Sequence, residues 1–180
     1  MKKITIIVIL ISTFFSSCIN VKYSDKKTGK NLYEEFYIDR GINQYFIKPL
    51  KFDYESYTFL ADFTFRDSTS ADGYITCNFS ICIDSITVVY DSIGFFTEKC
   101  SYKFINPVKM YIDTDKNLYI RRYTSYLKYS EMLEFFNSGN LSIYVSSKSS
   151  LKKFLPAKKT IKNINLLNNT LFKLVELNKM

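Results

Sequence analysis

The sequence predicts an α+β domain, mainly an antiparallel β-sheet or β-sandwich, with a short helix near 130–137 and a C-terminal amphipathic helix. Three observations predict it. Two neighbouring segments alternate apolar and polar residues with period two, several shorter β-rich runs follow between turn residues, and the last stretch changes to spacings of three and four.

The alternation is strictest between Tyr57 and Ile83. Tyr57, Phe59, Ala61, Phe63 and Phe65 alternate with Thr58, Leu60, Asp62, Thr64 and Arg66. After the turn-rich "DSTSADG" at 67–73, Ile75, Cys77, Phe79, Ile81 and Ile83 alternate with Thr76, Asn78, Ser80 and Cys82. Folding about Ser70 sets Phe65 against Ile75, Phe63 against Cys77, Ala61 against Phe79 and Phe59 against Ile81. Both apolar faces then lie on one side, as a hairpin packed on a core requires.

The next runs are "ITVVY" at 86–90, a turn over Asp91–Gly94 into "FFTEKCSYKF" at 95–104, and "VKMYI" at 108–112. A turn over Asp113–Asn117 leads into "LYIRRY" at 118–123, and "LSIYV" at 141–145 is a further strand. "SEMLEFF" at 130–136 reads as one or two helical turns, with Ser130 as N-cap and Gly139 near the stop. Pro156 suits a first helical position, and Ile161, Ile164, Leu167, Leu171 and Leu174 mark a helix over 157–177. The segment 170–177 also suits a final strand.

The start of the chain has a different character. Lys2 and Lys3 precede an apolar run from Ile4 to Phe15 that is too short to span a bilayer and ends in "FFSSC". A charged start, a short apolar middle and a small-residue exit form a secretory signal. This stretch resembles the signal of bacterial lipoproteins, in which a lipobox ends in cysteine. The resemblance implies cleavage before Cys18, diacylglycerol on its thiol and often an acyl chain, such as palmitate, on its new amino group. Ser16 and Ser17 fit the small positions, while Phe15 replaces the usual aliphatic residue. Two or three chains anchor firmly where one does not. The expected organisation is a signal over 1–17, a tether over 18–31 and one β-rich domain over 32–180. The non-acidic Ile19-Asn20-Val21-Lys22 favours an outer-membrane anchor facing the periplasm.

Composition narrows the chemistry. Net charge is +8, or +6 once Lys2 and Lys3 leave with the signal; outside the cytoplasm this indicates a solvated surface rather than nucleic-acid binding. There are 15 Tyr and 16 Phe but no Trp or His. The lack of His excludes Ser-His-Asp and Cys-His catalysis and every His-ligated metal site. Beyond Cys18 stand Cys77, Cys82 and Cys100. They make a poor zinc site, so no metal or cofactor is expected, and an exported protein permits one disulfide among them. Cys77–Cys100 is the first expectation and Cys82–Cys100 the second, since Cys77 shares the inward face.

The remaining constellations have plain readings. "DTDKN" at 113–117 mimics an EF-hand start, yet Leu118 replaces the required Gly and Thr124 the closing Glu, which leaves a hairpin turn. Arg121 and Arg122 must face opposite sides of a strand, here expected at a solvated edge. Lys148, Lys152, Lys153, Lys158, Lys159 and Lys162 form a basic approach to the last helix. Asp84, Asp91, Asp113 and Asp115 offer carboxylates near strand ends. The expected function is therefore non-catalytic: a membrane-anchored module that binds an envelope protein or supports an envelope assembly. A carboxylate-based hydrolase of envelope glycans and an inhibitor or immunity lipoprotein are the alternatives.

Overall fold

The computed structural model describes residues 29–84, 90–98, 101–105, 107–115, 117–147 and 150–177. The expected signal with Cys18, and also Cys100 and Lys148, lie outside the described residues. Among the described residues, ten strands form one antiparallel sheet, curled into a half-barrel, rather than two stacked sheets. They are β1 Tyr33–Asp39, β2 Ile42–Tyr54, β3 Tyr57–Arg66, β4 Tyr74–Ile83, β5 Tyr90–Phe96, β6 Ser101–Ile105, β7 Val108–Asp115, β8 Leu118–Lys128, β9 Ser142–Ser147 and β10 Ser150–Pro156. Helix α1 spans Tyr129–Asn137, and a C-terminal helical run comprises α2 Lys158–Leu167, a π-helical turn Asn168–Phe172 and α3 Lys173–Leu177. The order across the sheet is β6-β5-β9-β10-β2-β3-β4-β8-β7, with β1 pairing β2 from the side. Among the described residues, no helix is long and apolar enough to cross a membrane.

The central hairpin takes the predicted register: Phe63 opposes Cys77, Ala61 opposes Phe79, and Phe59 opposes Ile81. All six side chains are fully buried on the inner face. Phe59 stacks on Phe79, which stacks on Tyr123 of β8 and meets Phe104 from β6 across the core. Helix α1 fills the hollow of the curled sheet. Its Phe135 touches Phe52, Phe63 and Phe95, and its Phe136 meets Phe63 edge-on. Aromatic rings dominate this core because each removes a large area from water and edge or offset contacts add to that gain.

Several expected boundaries move. Residues 91–94 are not a turn but the middle of β5, where Ile93 and Phe95 both point inward. Gly94 is compatible with a strand because the Phe96 ring lies over it, so close that a β-carbon there would sit 2.3 Å from the ring. Strands β7 and β8 reach further than expected, leaving a tight turn in which Asn117 adopts the left-handed φ of 66° that asparagine tolerates. Strand β8 is interior rather than an edge, since β7 covers it. Strands β1, β2 and β10 occupy segments of the domain to which the sequence pattern assigns no strand. The β1–β2 turn holds Arg40 and Gly41 at φ 48° and 82°, the mirror-image geometry suited to tight hairpins.

Both helices differ in detail from expectation. Helix α1 enters from Lys128, not Ser130. The backbone N–H groups of Tyr129 and Ser130 donate to the carbonyls of Gly73 and Ala71 at 2.8 and 3.0 Å, and Glu131 Oε2 accepts from Lys128 N–H at 2.9 Å. The β3–β4 loop thus satisfies donors that a side-chain cap would otherwise meet. The segment 170–177 is helical rather than a strand. Pro156 closes β10, and Ala157 precedes the first helical residue. Gly29, at φ 70°, lies against the π turn: a β-carbon there would meet Thr170 Oγ1 at 2.7 Å.

Candidate functional site: a strand edge and a helix-walled cleft

Strand β7 ends one side of the sheet, and all eight of its residues are exposed. Val108, Met110, Tyr111 and Ile112 are 40–64% exposed, an apolar row of a kind that edge strands usually avoid. A bulge between Lys109 and Tyr111 interrupts the ladder with β8, after which Tyr111 through Asp115 pair regularly with Arg122 through Leu118. Beside it, the two arginines do face opposite ways. Arg121 is buried on the inner face, while Arg122 pairs with Asp62 at 2.6 Å on the outer face. The sheet interior thus converts the expected solvated pair into one core-facing cation and one neutralised cation.

A cleft of about 650 Å³ lies between the β3–β4 loop and the helices. The loop contributes Asp67 through Ala71, and α1 contributes Tyr129, Ser130, Leu133 and Asn137. The C-terminal run closes the other wall with Asn168, Phe172, Lys173 and Glu176. Asp67 Oδ2 accepts from Asn43 N–H at 3.1 Å, and Asp67 N–H donates to Asn43 carbonyl at 3.1 Å, which fixes the loop to β2. Burial, with the Glu176 charge adding, pushes the Tyr129 hydroxyl up to about 12, so the phenol stays protonated at neutral pH.

The predicted chemical residues do not assemble there. Asp84 follows β4 and accepts from Tyr57 hydroxyl at 3.2 Å; Asp91 lies in β5, and Asp113 and Asp115 in β7. None of the four lines the cleft. Asp113 Oδ1 accepts from Thr114 N–H at 2.8 Å, a turn-edge contact. Cys77 is buried on the inner face and Cys82 is half-buried on the outer, and the two are not bonded to each other. Burial, with Asp62 adding, raises the Cys77 thiol well above its ordinary range, and burial also raises Cys82. Any pairing with Cys100 lies outside the described residues. Among the described residues, no group of three or more acidic or cysteine side chains is arranged to hold a metal ion.

The lysines divide by element. Lys152 stands 4.2 Å over the Tyr57 ring, which stacks on Tyr54, and Lys153 lies over Tyr144. Lys158, Lys159 and Lys162 are exposed on α2. Sequence reasoning missed the cleft because its walls come from three distant segments; the one local cue was the serine- and threonine-rich loop at 67–73. No protein-family model matches the chain, and neither a curated protein nor a solved structure shows significant similarity to it.

Proposed function

We propose that this protein is a lipid-anchored component of the bacterial cell envelope, attached through Cys18 to the outer membrane facing the periplasm, and that it binds another envelope protein without catalysis. The lipobox-like "FFSSC" supports the anchor, and the lack of His supports a non-catalytic role. The observation that carries the binding reading is the exposed apolar edge of β7. An extended segment of a partner adds to such an edge through main-chain hydrogen bonds, while Tyr111 and Ile112 supply side-chain contacts on opposite faces.

The test places a photo-crosslinking residue at Tyr111 in intact cells. The expected result is one reproducible envelope protein adduct, lost on Ile112→Lys and displaced from membranes on Cys18→Ala. An adduct pattern unchanged by Ile112→Lys rejects the edge as the interface. Glycan cleavage by the purified protein, abolished by one Asp→Asn change, replaces binding with hydrolysis.

A further inference from the structure

We infer that the cleft between the β3–β4 loop and the C-terminal helices binds a small uncharged ligand rich in hydroxyl or amide donors, the size of one or two sugar rings. This inference is independent of the β7 reading. The volume of about 650 Å³ lies well inside the range of small-molecule sites.

The helical wall is locally irregular where it faces the cleft. Asn168 and Phe172, the first and last residues of the π turn, both line it. Single π turns inserted in α-helices recur at functional sites because the extra residue re-aims side chains that a regular helix would point elsewhere. Here the turn sits between two α-helical segments and sets an amide and a ring on one wall.

The amide is fixed and incompletely satisfied. Asn168 Nδ2 donates to the Phe136 carbonyl at 2.7 Å, which determines how the amide is turned. Its Oδ1 is then buried without a hydrogen-bond partner. An unmet buried acceptor costs about 1–3 kcal/mol, and native proteins retain few of them. A modest turn of the amide presents that oxygen to a ligand hydroxyl or N–H, whereas an anion's oxygen gains nothing from it.

The rest of the lining agrees with that polarity. Asp67 and Glu176 add acceptors, and among the described lining residues Lys173 is the one cation against those two carboxylates, so the cleft disfavours anions. Phe172 and Leu133 offer apolar surface for the C–H face of a ring. Hydroxyl-bearing rings combine both requirements: donors at the edge and an apolar face.

The experiment uses the full chain in detergent micelles and saturation-transfer NMR with N-acetylglucosamine, its β-1,4-linked dimer and glucose 6-phosphate. Saturation is expected to reach the two neutral sugars and not the phosphate ester. Asn168→Ala should weaken neutral-sugar binding about tenfold or more, the loss of a buried hydrogen bond. Ser70→Trp, a change at an exposed loop position that fills the mouth, should abolish binding while the melting temperature is retained. The second variant decides the matter if Asn168→Ala fails to fold. Absence of transfer to either neutral sugar, equal transfer to glucose 6-phosphate, or undiminished binding by Ser70→Trp overturns the inference.

Discussion

Arg122 Nη2 lies 2.6 Å from Asp62 Oδ2 across the β4 strand that separates them. Ser80 accepts from Arg122 Nη1 at 3.0 Å, and Asn78 Nδ2 donates to Asp62 Oδ1 at 3.2 Å. One polar network therefore ties β3, β4 and β8 together on the outer face, opposite the aromatic core. The two charged side chains are only 14% and 19% exposed, so water screens them poorly.

That network predicts non-additive stability. Asp62→Leu and Arg122→Leu should each destabilise by about 1–3 kcal/mol, because each strands a poorly solvated charge. The double variant should cost less than the two together, with a coupling of about 0.5–3 kcal/mol in urea titrations. Additive losses would show that the pair does not act as a unit.

Alkaline pH should weaken the fold through buried phenols. Burial raises Tyr90 and Tyr129 to about 12, with Tyr123 and Glu176 respectively adding, while an unfolded tyrosine titrates near 10. The unfolded chain thus loses its protons first. Stability from these groups is complete below pH 10 and is lost as pH rises towards 12, on the order of 2 kcal/mol for each. Urea midpoints of Tyr90→Phe and Tyr129→Phe proteins should fall less between pH 9 and 11 than those of the parent. Equal falls would mean that other groups govern the alkaline limit.

The C-terminal helical run makes a third prediction. The sequence pattern sets Leu174 on the inward face after Leu171, yet Leu174 is 37% exposed and Val175, four residues after Leu171, is fully buried. Leu174→Asp should therefore change stability by about 0.5 kcal/mol or less, and Val175→Asp should cost about 3 kcal/mol or more. Thermal melts of the two variants check this directly, and a reversed ranking would mean that Leu174, not Val175, faces the core.

How much could be seen in the sequence depended on local regularity. The β3–β4 hairpin was legible down to its register because every inward position from Phe59 to Phe65 and from Ile75 to Ile83 is apolar. Strand β2 was hidden because a register shift between Ile47 and Leu50 changes its phase: Tyr45 and Ile47 are buried before it, Leu50 and Phe52 after it. Strands β1 and β10 each bury one large side chain, Tyr33 and Phe154, too few to set a period. Gly94 imitated a turn because the ring that covers it belongs to a residue two places on. The C-terminal helix was visible, but the single extra residue of its π turn was not. The cleft is a product of tertiary packing and has no contiguous signature.

The contact between β10 and β2 consists of two residue pairs, Leu155 with Asp53 and Pro156 with Phe52. Proline has no N–H to extend it. Thr160 takes over, donating its hydroxyl to the Lys51 carbonyl at 2.6 Å and accepting from Lys51 N–H at 3.1 Å, so a helical side chain completes the strand ladder. This short seam is the backbone link between two ribbons, one of four strands and one of six, whose inner faces also meet in the aromatic core, as Phe79 does Phe104 and Phe59 does Phe95. Its partners lie about a hundred residues apart in the chain, whereas β2, β3 and β4 are sequential neighbours, and closing so long a loop is the slower event. Loop closure thus disfavours the seam as an early contact. A chain truncated before Thr160 would keep the two backbone pairs of the seam and lose the side chain that extends them.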